Sequence, residues 1–240
     1  MDVNLIRRLN QLNKDFYAQT AESFSQSRDH AWEGWLKLLP YLKPPLSVLD
    51  VGCGNGRFGI FLHEQFGDGV AYHGLDNAPA LLDFARQAFD ERGLCFTLEN
   101  RDIVENPPDM GEYDWVVAFG VLHHIPGYKN RHEFVRCLGQ RLKKDGYLVF
   151  TSWRFYEQPR FRERIAVWPD DFQVESHDYL LDWRRDRGGD EEPALRYCHY
   201  IDDAEHQSLI AATGLTEITA YRADGRSGDL NCYSVLQRIT

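Results

Sequence analysis

The sequence predicts an α/β fold in which a doubly wound, mostly parallel sheet of seven strands carries helices on both faces. Three observations lead to this prediction. An apolar strand runs directly into a glycine-rich turn at residues 47–56, three more strands that end in turns follow in order, and two strands close the chain. Short apolar strands that alternate with longer helical segments are typical of parallel sheets.

The first strand and the turn after it carry the most specific pattern in the chain. The apolar run ends at an acid, and glycines follow at alternate positions, which permits positive φ and a close approach of a ligand to the backbone. The spacing differs from the Gly-x-Gly-x-x-Gly of dinucleotide folds, and no Lys follows it as in phosphate-binding loops. We expect a cofactor to bind here, at Asp50, Gly52, Cys53, Gly54, Asn55 and Gly56.

Three further strands each end at candidate binding residues. The second, at residues 70–76, ends in Asp76, about twenty residues after the glycines, where doubly wound folds hold a ribose diol with a carboxylate. The third, at 94–102, and the fourth, at 113–120, end in turns that we expect at the same edge of the sheet. The cofactor-binding candidates in these turns are Asp76, Asn77, Asp102, Ile103, Phe119 and Gly120.

At these motifs the chain resembles the class I S-adenosylmethionine-dependent methyltransferases. The first motif of that family has the same strand, acid and glycine turn, and Asp102 with Ile103 matches its adenine-facing motif. The loop Val121-Leu-His-His-Ile-Pro126 after the fourth strand is typical of the family as well. The resemblance implies a Rossmann-like methyltransferase fold and S-adenosyl-L-methionine as the cofactor.

The rest of the chain is predicted to be one methyltransferase domain at residues 46–240, with a helical cover at 1–45 and a substrate-side insertion at 154–199. A polar break at residues 24–32 is expected to cross the top of the sheet. Apolar residues at helical spacing predict helices at residues 58–66, 78–92, 130–142, 159–167 and 202–213. The remaining strands are predicted at 148–153 and, as an antiparallel edge, at 216–221 and 231–236. Residues 168–193 are charged and show little periodicity.

Composition narrows the class of protein. The net charge of −10, from 27 basic and 37 acidic residues, argues against broad nonspecific binding of nucleic acid, because affinity for phosphates comes chiefly from Lys and Arg. Five scattered cysteines without a Cys-x-x-Cys pair suggest neither a zinc site nor a disulfide framework, so no metal is expected. No run resembles a signal peptide or a membrane helix. We expect a cytoplasmic protein without a membrane partner.

Four arginines cluster just after the fifth strand. They are Arg154, Arg160, Arg162 and Arg164. Arginine forms planar, bidentate pairs with carboxylates and phosphates, so the cluster is a candidate surface for an anionic substrate. A solvated helix face accounts for the same pattern, and the sequence leaves both interpretations open.

A narrower resemblance concerns the ends of the chain and the insertion. Phe24-Ser-Gln-Ser-Arg28 followed by Trp32, then Asp178–Trp183, Arg196–His199 and Gly228–Asn231, is similar to segments of the tRNA wobble-uridine carboxymethyl methyltransferases. The sequence departs from that pattern at Asp182, Cys198 and Cys232. The resemblance implies that the carboxylate of 5-carboxymethyluridine in tRNA is methylated, and that a small zinc-binding activator subunit is a possible partner.

The same resemblance suggests roles for individual residues. A carboxylate is ionised near neutral pH and is its own nucleophile, so the enzyme mainly has to position it. The catalytic candidates are Arg28, His124, Arg196 and His199, and the substrate-binding candidates are Trp32, Trp183, Tyr197 and Asn231. Two alternatives stay open: a methyltransferase of a small anionic or aromatic metabolite, and a non-catalytic S-adenosylmethionine-binding protein.

Overall fold

A computed structural model describes residues 1–28, 30–183 and 194–239. Ten strands occur in chain order: β1 (Leu46–Val51), β2 (Val70–Asp76), β3 (Phe96–Asn100), β4 (Tyr113–Ala118), β5 (Leu142–Trp153), β6 (Ile165–Ala166), β7 (Asp178–Trp183), β8 (Ala194–His199), β9 (Thr216–Ala223) and β10 (Asn231–Gln237). The α-helices are α1 (Val3–Gln26), α2 (Glu33–Leu36), α3 (Arg57–Phe66), α4 (Pro79–Asp90), α5 (Tyr128–Gln140), α6 (Pro159–Arg162) and α7 (Asp203–Thr213). Short 3-10 turns lie at Leu39–Tyr41, Gly67–Gly69, Leu122–His124 and Phe155–Glu157.

The central sheet has seven strands in the order β3-β2-β1-β4-β5-β10-β9. Strands β1 to β5 run parallel, while β10 is antiparallel to both of its neighbours. The predicted doubly wound, mostly parallel sheet is therefore confirmed. The strand order reverses between β1 and β4, and a crevice at such a point, beyond the carboxyl ends of the strands, is the usual ligand site of this architecture.

Helices cover both faces of the sheet and bury its apolar strands. One core lies under α3 and α4, where Phe58 and Phe89 pack against β1 and β2, and the other lies under α5 and α7, with Leu138 and Leu209. The helix predicted at 202–213 has an acidic N-cap, because the Asp202 side chain accepts a hydrogen bond from the backbone N–H of Glu205 at 2.8 Å.

The fifth strand begins earlier than predicted. It starts at Leu142 rather than at residue 148, because the pairing with β4 shifts register between Tyr113 and Trp115. Asp145 takes a φ of 62° at this irregularity, and the Lys143 ammonium lies 2.9 Å from the Asp114 carboxylate. Lys143, Lys144 and Gly146, which follow the helix predicted at 130–142, belong to a bulge at the start of this strand.

The insertion forms a second sheet rather than a helix and a loop. The predicted helix at 159–167 is wrong beyond Arg162, since Ile165 and Ala166 pair with β7. Strands β6, β7 and β8 make a three-stranded antiparallel sheet, and the charged stretch of low periodicity at 168–193 contains β7. The last part of that stretch, residues 184–193, lies outside the described residues.

Helix α1 runs further than predicted and packs on this small sheet. It continues to Gln26, so the break that was expected at 24–32 is confined to the residues after the helix. Leu5 and Leu9 of α1 bury Tyr197 of β8, and the Asn13 side-chain oxygen accepts the Tyr197 backbone N–H at 2.9 Å. Helix α1 and the small sheet together make a cover. The division of the chain into a cover and a domain stays a prediction.

Among the helices of the described residues, none is long and apolar enough to cross a bilayer.

Candidate active site

A cavity of about 910 Å³ lies between the cover and the carboxyl ends of the central strands. The glycine turn and the ends of β2 and β4 form its floor, and α1, β7, β8 and the segment after α1 form its roof and walls. Its volume is in the range of sites that take a cofactor or a drug-sized ligand. Most of the predicted site residues meet in this cavity.

The glycine turn presents open backbone to the cavity. Gly52 has a φ of 78°, and a Cβ at this position would lie 2.2 Å from the Val121 side chain, so a larger residue does not fit. At Gly54, with a φ of 56°, no atom lies within 4 Å of the place that a Cβ would take. A ligand can therefore lie directly against the turn, and the turn fits the cofactor that the motifs imply.

Asp76 is fixed at the end of β2 beside this turn. Its two carboxylate oxygens accept backbone N–H groups from Gly54 at 2.8 Å and Ala78 at 2.9 Å. Burial raises its pKa, although these backbone hydrogen bonds oppose the rise. An ionised carboxylate has about four acceptor sites. Acceptor capacity thus remains for a diol.

Asp50 lies beneath the same turn and is almost completely buried. The Tyr72 hydroxyl donates a hydrogen bond to it at 2.6 Å. Burial raises the pKa of the Asp50 carboxyl to about 7, even though the bond from Tyr72 lowers it. This acid therefore titrates close to neutral pH, unlike an exposed aspartate.

Two of the twelve cofactor-binding candidates do not line the cavity. Gly56 begins α3 with a φ of 78°, and its lack of a side chain makes room for Phe89. The Asp102 carboxylate faces α1 instead, where it accepts from the Asn10 amide at 2.8 Å and lies 2.5 Å from the Lys14 ammonium. The other ten, which do line it, are Asp50, Gly52, Cys53, Gly54, Asn55, Asp76, Asn77, Ile103, Phe119 and Gly120.

Asn55 connects the glycine turn to the roof. Its side-chain amide donates to the Ser25 hydroxyl at 3.0 Å and to the Arg28 backbone carbonyl at 3.2 Å. Nearby, the Arg57 guanidinium donates to the His30 carbonyl at 3.1 Å. These bonds hold the segment that follows α1 over the cofactor side of the cavity. We name the described residues of this segment, 27–28 and 30–32, the roof segment.

Arg28 and Arg196 both bring a guanidinium group close to the ring of Trp183. The guanidinium carbon lies 5.2 Å from the Trp183 ring centre for Arg28 and 5.4 Å for Arg196. Arg196 is only 6% exposed. Burial, and then the charge of Arg196, lower the pKa of Arg28 to about 9. Neither arginine forms an ion pair with a carboxylate of the described residues, so this end of the cavity favours an anion.

His124 lines the cavity but its ring nitrogens are engaged. Nδ1 lies 3.0 Å from the Tyr197 carbonyl, to which it must donate, and Nε2 lies 2.9 Å from the Tyr17 hydroxyl. Burial, and then Arg196, lower its pKa to about 3. The ring is neutral at physiological pH. It fixes the position of Tyr17, whose hydroxyl the sequence did not single out.

Tyr197 and His199 do not reach the cavity, which corrects both predictions. The Tyr197 hydroxyl donates to Asp178 at 2.8 Å within a buried cluster. The ring of His199 lies between Asp178 and Glu205, at 2.6 and 2.7 Å. Successive side chains of a strand point to opposite faces. Since Arg196 faces the cavity, its neighbour Tyr197 points away, and His199 shares that outer face.

The arginine cluster after β5 is not one surface. Arg154 is buried, donates to the Ile201 carbonyl at 3.0 Å and pairs with Asp203 at 2.7 Å. Arg162 donates to the Tyr156 carbonyl. Only Arg160 lines the cavity, where it is exposed. The expectation of a joint anion-binding face at 154–164 is therefore wrong for Arg154.

The other substrate-binding candidates do line the cavity. Trp32 of the roof segment stacks on Trp35 with ring centres 5.4 Å apart. Asn231 of β10 is buried, and its amide donates to Asp224 at 2.9 Å. Together with Trp183, they surround the cavity with aromatic and amide groups.

Sequence reasoning missed several residues of the wall. Tyr17 and Asn13 lie on α1 at the same helical face as Asn10, and Asn10 and Asn13 are each under 5% exposed. Polar residues at three- and four-residue spacing on the apolar face of a helix were the signal that could have found them. His123 was also missed. It lines the cavity next to Trp153, at a ring distance of 5.0 Å.

His123, His124 and Cys198 have ligand atoms within 4.8 Å of one another. Such a set can hold a metal in principle, but both nitrogens of His124 already have partners. The charge of Arg196 acts on both His124 and Cys198. A cation would meet a like charge here, so the donor set does not fit a metal site.

A comparison with protein families matches residues 49–148 to a methyltransferase domain. The probable tRNA methyltransferase 9B of Bos taurus is 28% identical over 155 residues, which cover 64% of this chain and 31% of that protein. The tRNA (carboxymethyluridine(34)-5-O)-methyltransferase ALKBH8 of Mus musculus is 25% identical over 142 residues, which cover 59% of this chain and 20% of that protein. The chain spans a third or less of the length of these relatives.

Solved structures give the same fold. The 1,6-didemethyltoxoflavin-N1-methyltransferase of Burkholderia thailandensis, solved with 1,6-didemethyltoxoflavin and S-adenosylhomocysteine, superposes with a TM-score of 0.67 at 15% identity. The match covers 98% of this chain and 91% of that one. Residues 49–148 therefore belong to a methyltransferase domain, and the order of the motifs and of the strands is that of the class I S-adenosylmethionine-dependent methyltransferases.

Proposed function

We propose that the protein methylates the carboxylate of a carboxymethyl-type wobble uridine in tRNA, giving a methyl ester. One observation carries the proposal: Arg28 and Arg196 both lie against Trp183 in the cavity without a carboxylate partner among the described residues. A guanidinium group has the charge opposite to that of a carboxylate and donors spaced for its two oxygens. The relatives that are named as tRNA and carboxymethyluridine methyltransferases support the same acceptor.

The cofactor site follows from the floor of the cavity. Gly52 and Gly54 would lie against the cofactor, and Asp76 would accept hydrogen bonds from its ribose hydroxyls. Bound S-adenosylmethionine supplies an electrophilic methyl group on a sulfonium. Because the cavity is lined by glycine backbone on this side and by arginine on the other, acceptor and cofactor would meet inside it.

The chemistry of a carboxylate suits the residues of the wall. An ionised carboxylate needs no base to become a nucleophile. Burial keeps the pKa of His123 and of His124 far below the ordinary value, so both rings are uncharged and weakly basic at pH 7. The hydrogen bond from Tyr17 already engages Nε2 of His124. The protein then has to hold one carboxylate oxygen in line with the sulfonium methyl group, orient the other carboxylate oxygen and exclude water.

Binding of tRNA would depend on a few contacts. Arg160 and Arg226 are exposed and line the mouth of the cavity, where they would meet phosphates next to the target base. A net charge of −10 leaves little basic surface elsewhere. We therefore include a small zinc-binding activator subunit as a proposed partner, which would add RNA-binding surface.

A small anionic or aromatic metabolite is the second candidate acceptor. The observation in its favour is the aromatic wall of the cavity, with Trp32, Phe119, Trp153 and Trp183 among the lining residues. A flat ring with an acidic substituent would fit this wall and the two arginines without any RNA.

Transfer of label from radioactive S-adenosylmethionine decides between the acceptors. The substrates are tRNA from cells that lack this gene, free 5-carboxymethyluridine and a small-molecule extract, each with and without the candidate activator. We expect label in tRNA that mild alkali releases as methanol, as for a methyl ester. Label only in the extract would leave the metabolite as the acceptor.

Arginine variants test the anion site in the same assay. Arg28→Lys and Arg196→Lys keep the charge but lose the bidentate fork, so we expect kcat/KM for the acceptor to fall by about 10- to 100-fold, since hydrogen bonds to charged groups contribute about 1.5–3 kcal/mol. Cofactor affinity should not change. Arg162→Lys, an exposed arginine outside the cavity, is the matched control. Unchanged turnover in both variants would remove the arginines from the site.

A further inference from the structure

We propose that His123 binds the methyl acceptor as a neutral hydrogen-bonding side chain, beside the two arginines. This inference rests on the proposed function, because it assumes that the acceptor occupies the arginine end of the cavity. His123 comes from the 3-10 turn at Leu122–His124 and lines the cavity. Its ring lies 4.0 Å from His124 and 5.0 Å from Trp153.

His123 is buried but lacks hydrogen bonds. The side chain is 5% exposed, and its Nδ1 is shielded from solvent and has no partner. Among the described residues, no group forms a hydrogen bond with either nitrogen of this ring. A polar atom that loses water without gaining a partner destabilises a fold. The ring therefore needs an explanation beyond packing.

The other buried histidines of the described region make His123 the exception. The nitrogens of His206 lie 2.6 Å from the Ser152 hydroxyl and 2.8 Å from the Ser234 hydroxyl. Both nitrogens of His124 and of His199 are paired as well. The protein itself thus supplies partners for both nitrogens of these three imidazoles.

Two other side chains of the cavity also carry unpaired donors. Nε of Arg196 and Nε1 of Trp183 are buried and have no partner, and both side chains line the cavity. The guanidinium of Arg196 lies 5.1 Å from the Trp153 ring that His123 contacts. Arginine and tryptophan nitrogens can only donate. A group of unpaired donors at one place indicates a ligand rich in acceptor oxygens.

The chemistry of that ligand follows from the charges. Burial first, and then the positive charge of its neighbours, keep the pKa of His123 well below its ordinary value. The ring offers one N–H and one lone pair, but no charge. The arginines would take a carboxylate, and His123 a neutral polar group close to it. A pyrimidine with a carboxylate side chain and ring carbonyls presents both.

The test uses His123→Phe, which keeps an aromatic ring against Trp153 but removes both nitrogens. The probe is tRNA that carries 5-carboxymethyluridine. We expect Tm to stay the same or rise, cofactor Kd to stay the same, and kcat/KM for the tRNA to fall by about 5- to 10-fold, as for the loss of one hydrogen bond to a neutral group. His123→Gln, which restores an N–H, should recover part of the loss.

His206→Phe is the matched control, since it makes the same change at a histidine whose nitrogens are both paired. We expect it to lower Tm, or in the extreme to prevent folding, while kcat/KM per folded molecule stays the same. A fall in Tm for His123→Phe as large as that of His206→Phe would overturn the inference. So would an unchanged kcat/KM in His123→Phe. A wild-type protein that does not methylate this tRNA would contradict the proposed function instead, and the two Tm shifts would still show whether His123 is satisfied without a ligand.

Discussion

At the scale of the residue, the site depends on charges and polar groups that the fold has left without protein partners. Arg28 and Arg196 both lie close to the ring of Trp183, and each is near enough to the other to oppose its charge. Contact with an aromatic face stabilises a guanidinium without neutralising it. The site is thus ready for an anion, at a cost in stability that the aromatic contacts offset in part.

Asp50 gives a prediction for the dependence of stability on pH. Its pKa is about 7 in the folded protein, against an ordinary value near ~4 in an unfolded chain. Between these values the folded state binds a proton that the unfolded state has released, so stability falls as pH rises from about 4 to about 7. Asp50→Asn keeps the shape of the side chain and removes this effect.

Urea unfolding of the wild type and of Asp50→Asn between about pH 4 and pH 7 measures this dependence of stability on pH. The variant should gain stability relative to the wild type as pH rises through the window, and the difference should be constant above it. Asp68→Asn, at an exposed position, is the control. A difference that does not vary with pH would show that Asp50 is an ordinary carboxylate.

At the scale of the element, the roof segment matters most, because it carries Arg28 and joins α1 to α2. The side chains of Asn55 and Arg57 hold it in place by hydrogen bonds. Its far end is fixed where the Gly34 backbone N–H donates to the buried Asp224 at 2.8 Å. The substrate arginine is therefore held in place by the same turn that lies against the cofactor.

Asn55→Ala should loosen this segment. Loss of the amide removes two hydrogen bonds, to Ser25 and to the Arg28 carbonyl, so local opening becomes more frequent. We expect faster trypsin cleavage after Arg28 and a higher KM for the acceptor. Asn130→Ala removes the hydrogen bond from the Asn130 side-chain amide to the Pro126 carbonyl, away from the roof segment, and serves as the control. Equal cleavage rates in the two variants would mean that Asn55 does not fasten the roof.

The sequence predicted the elements whose signals are local. Strand β2 is found at the predicted residues 70–76, because an apolar run that stops at an acid marks both of its ends. The glycine turn was also predicted, since its geometry is encoded by the spacing of its glycines. The small sheet was not, because β6 has two residues and its pairing partners are distant in sequence.

The polar side of the site was harder to predict for the same reason. Asn13 meets His124 across 111 positions, and Asn10 meets Asp102 across 92. No periodicity within one segment reveals such pairs. The sequence of β8 does predict that its side chains point alternately to two faces. Which face points to the cavity depends on how the small sheet packs against α1, and this packing cannot be read from the sequence.

At the scale of the whole molecule, the acidic surface sets how RNA can bind. With a net charge of −10, only a few cationic side chains such as Arg160 and Arg226 would meet phosphates. Each phosphate contact contributes roughly 0.7 to 0.9 to the slope of log affinity against log salt. Replacing both arginines with alanine should lower the magnitude of that slope by about 1.4 to 1.8.

Filter binding of tRNA at several salt concentrations measures the slope, with and without the candidate activator. Arg92→Ala, an exposed arginine at the end of α4, is the control and should leave the slope unchanged. A double variant with the slope of the wild type would place the RNA elsewhere on the molecule. A binding curve that does not depend on salt would favour the metabolite.

Four of the six tryptophans line the cavity: Trp32, Trp35, Trp153 and Trp183. Most of the indole chromophores of the chain therefore lie where a ligand enters. The tryptophan fluorescence of the unlabelled protein should therefore come mainly from this cavity and change when a ligand binds there. Fluorescence titration can thus rank candidate acceptors by affinity before any of them is shown to react.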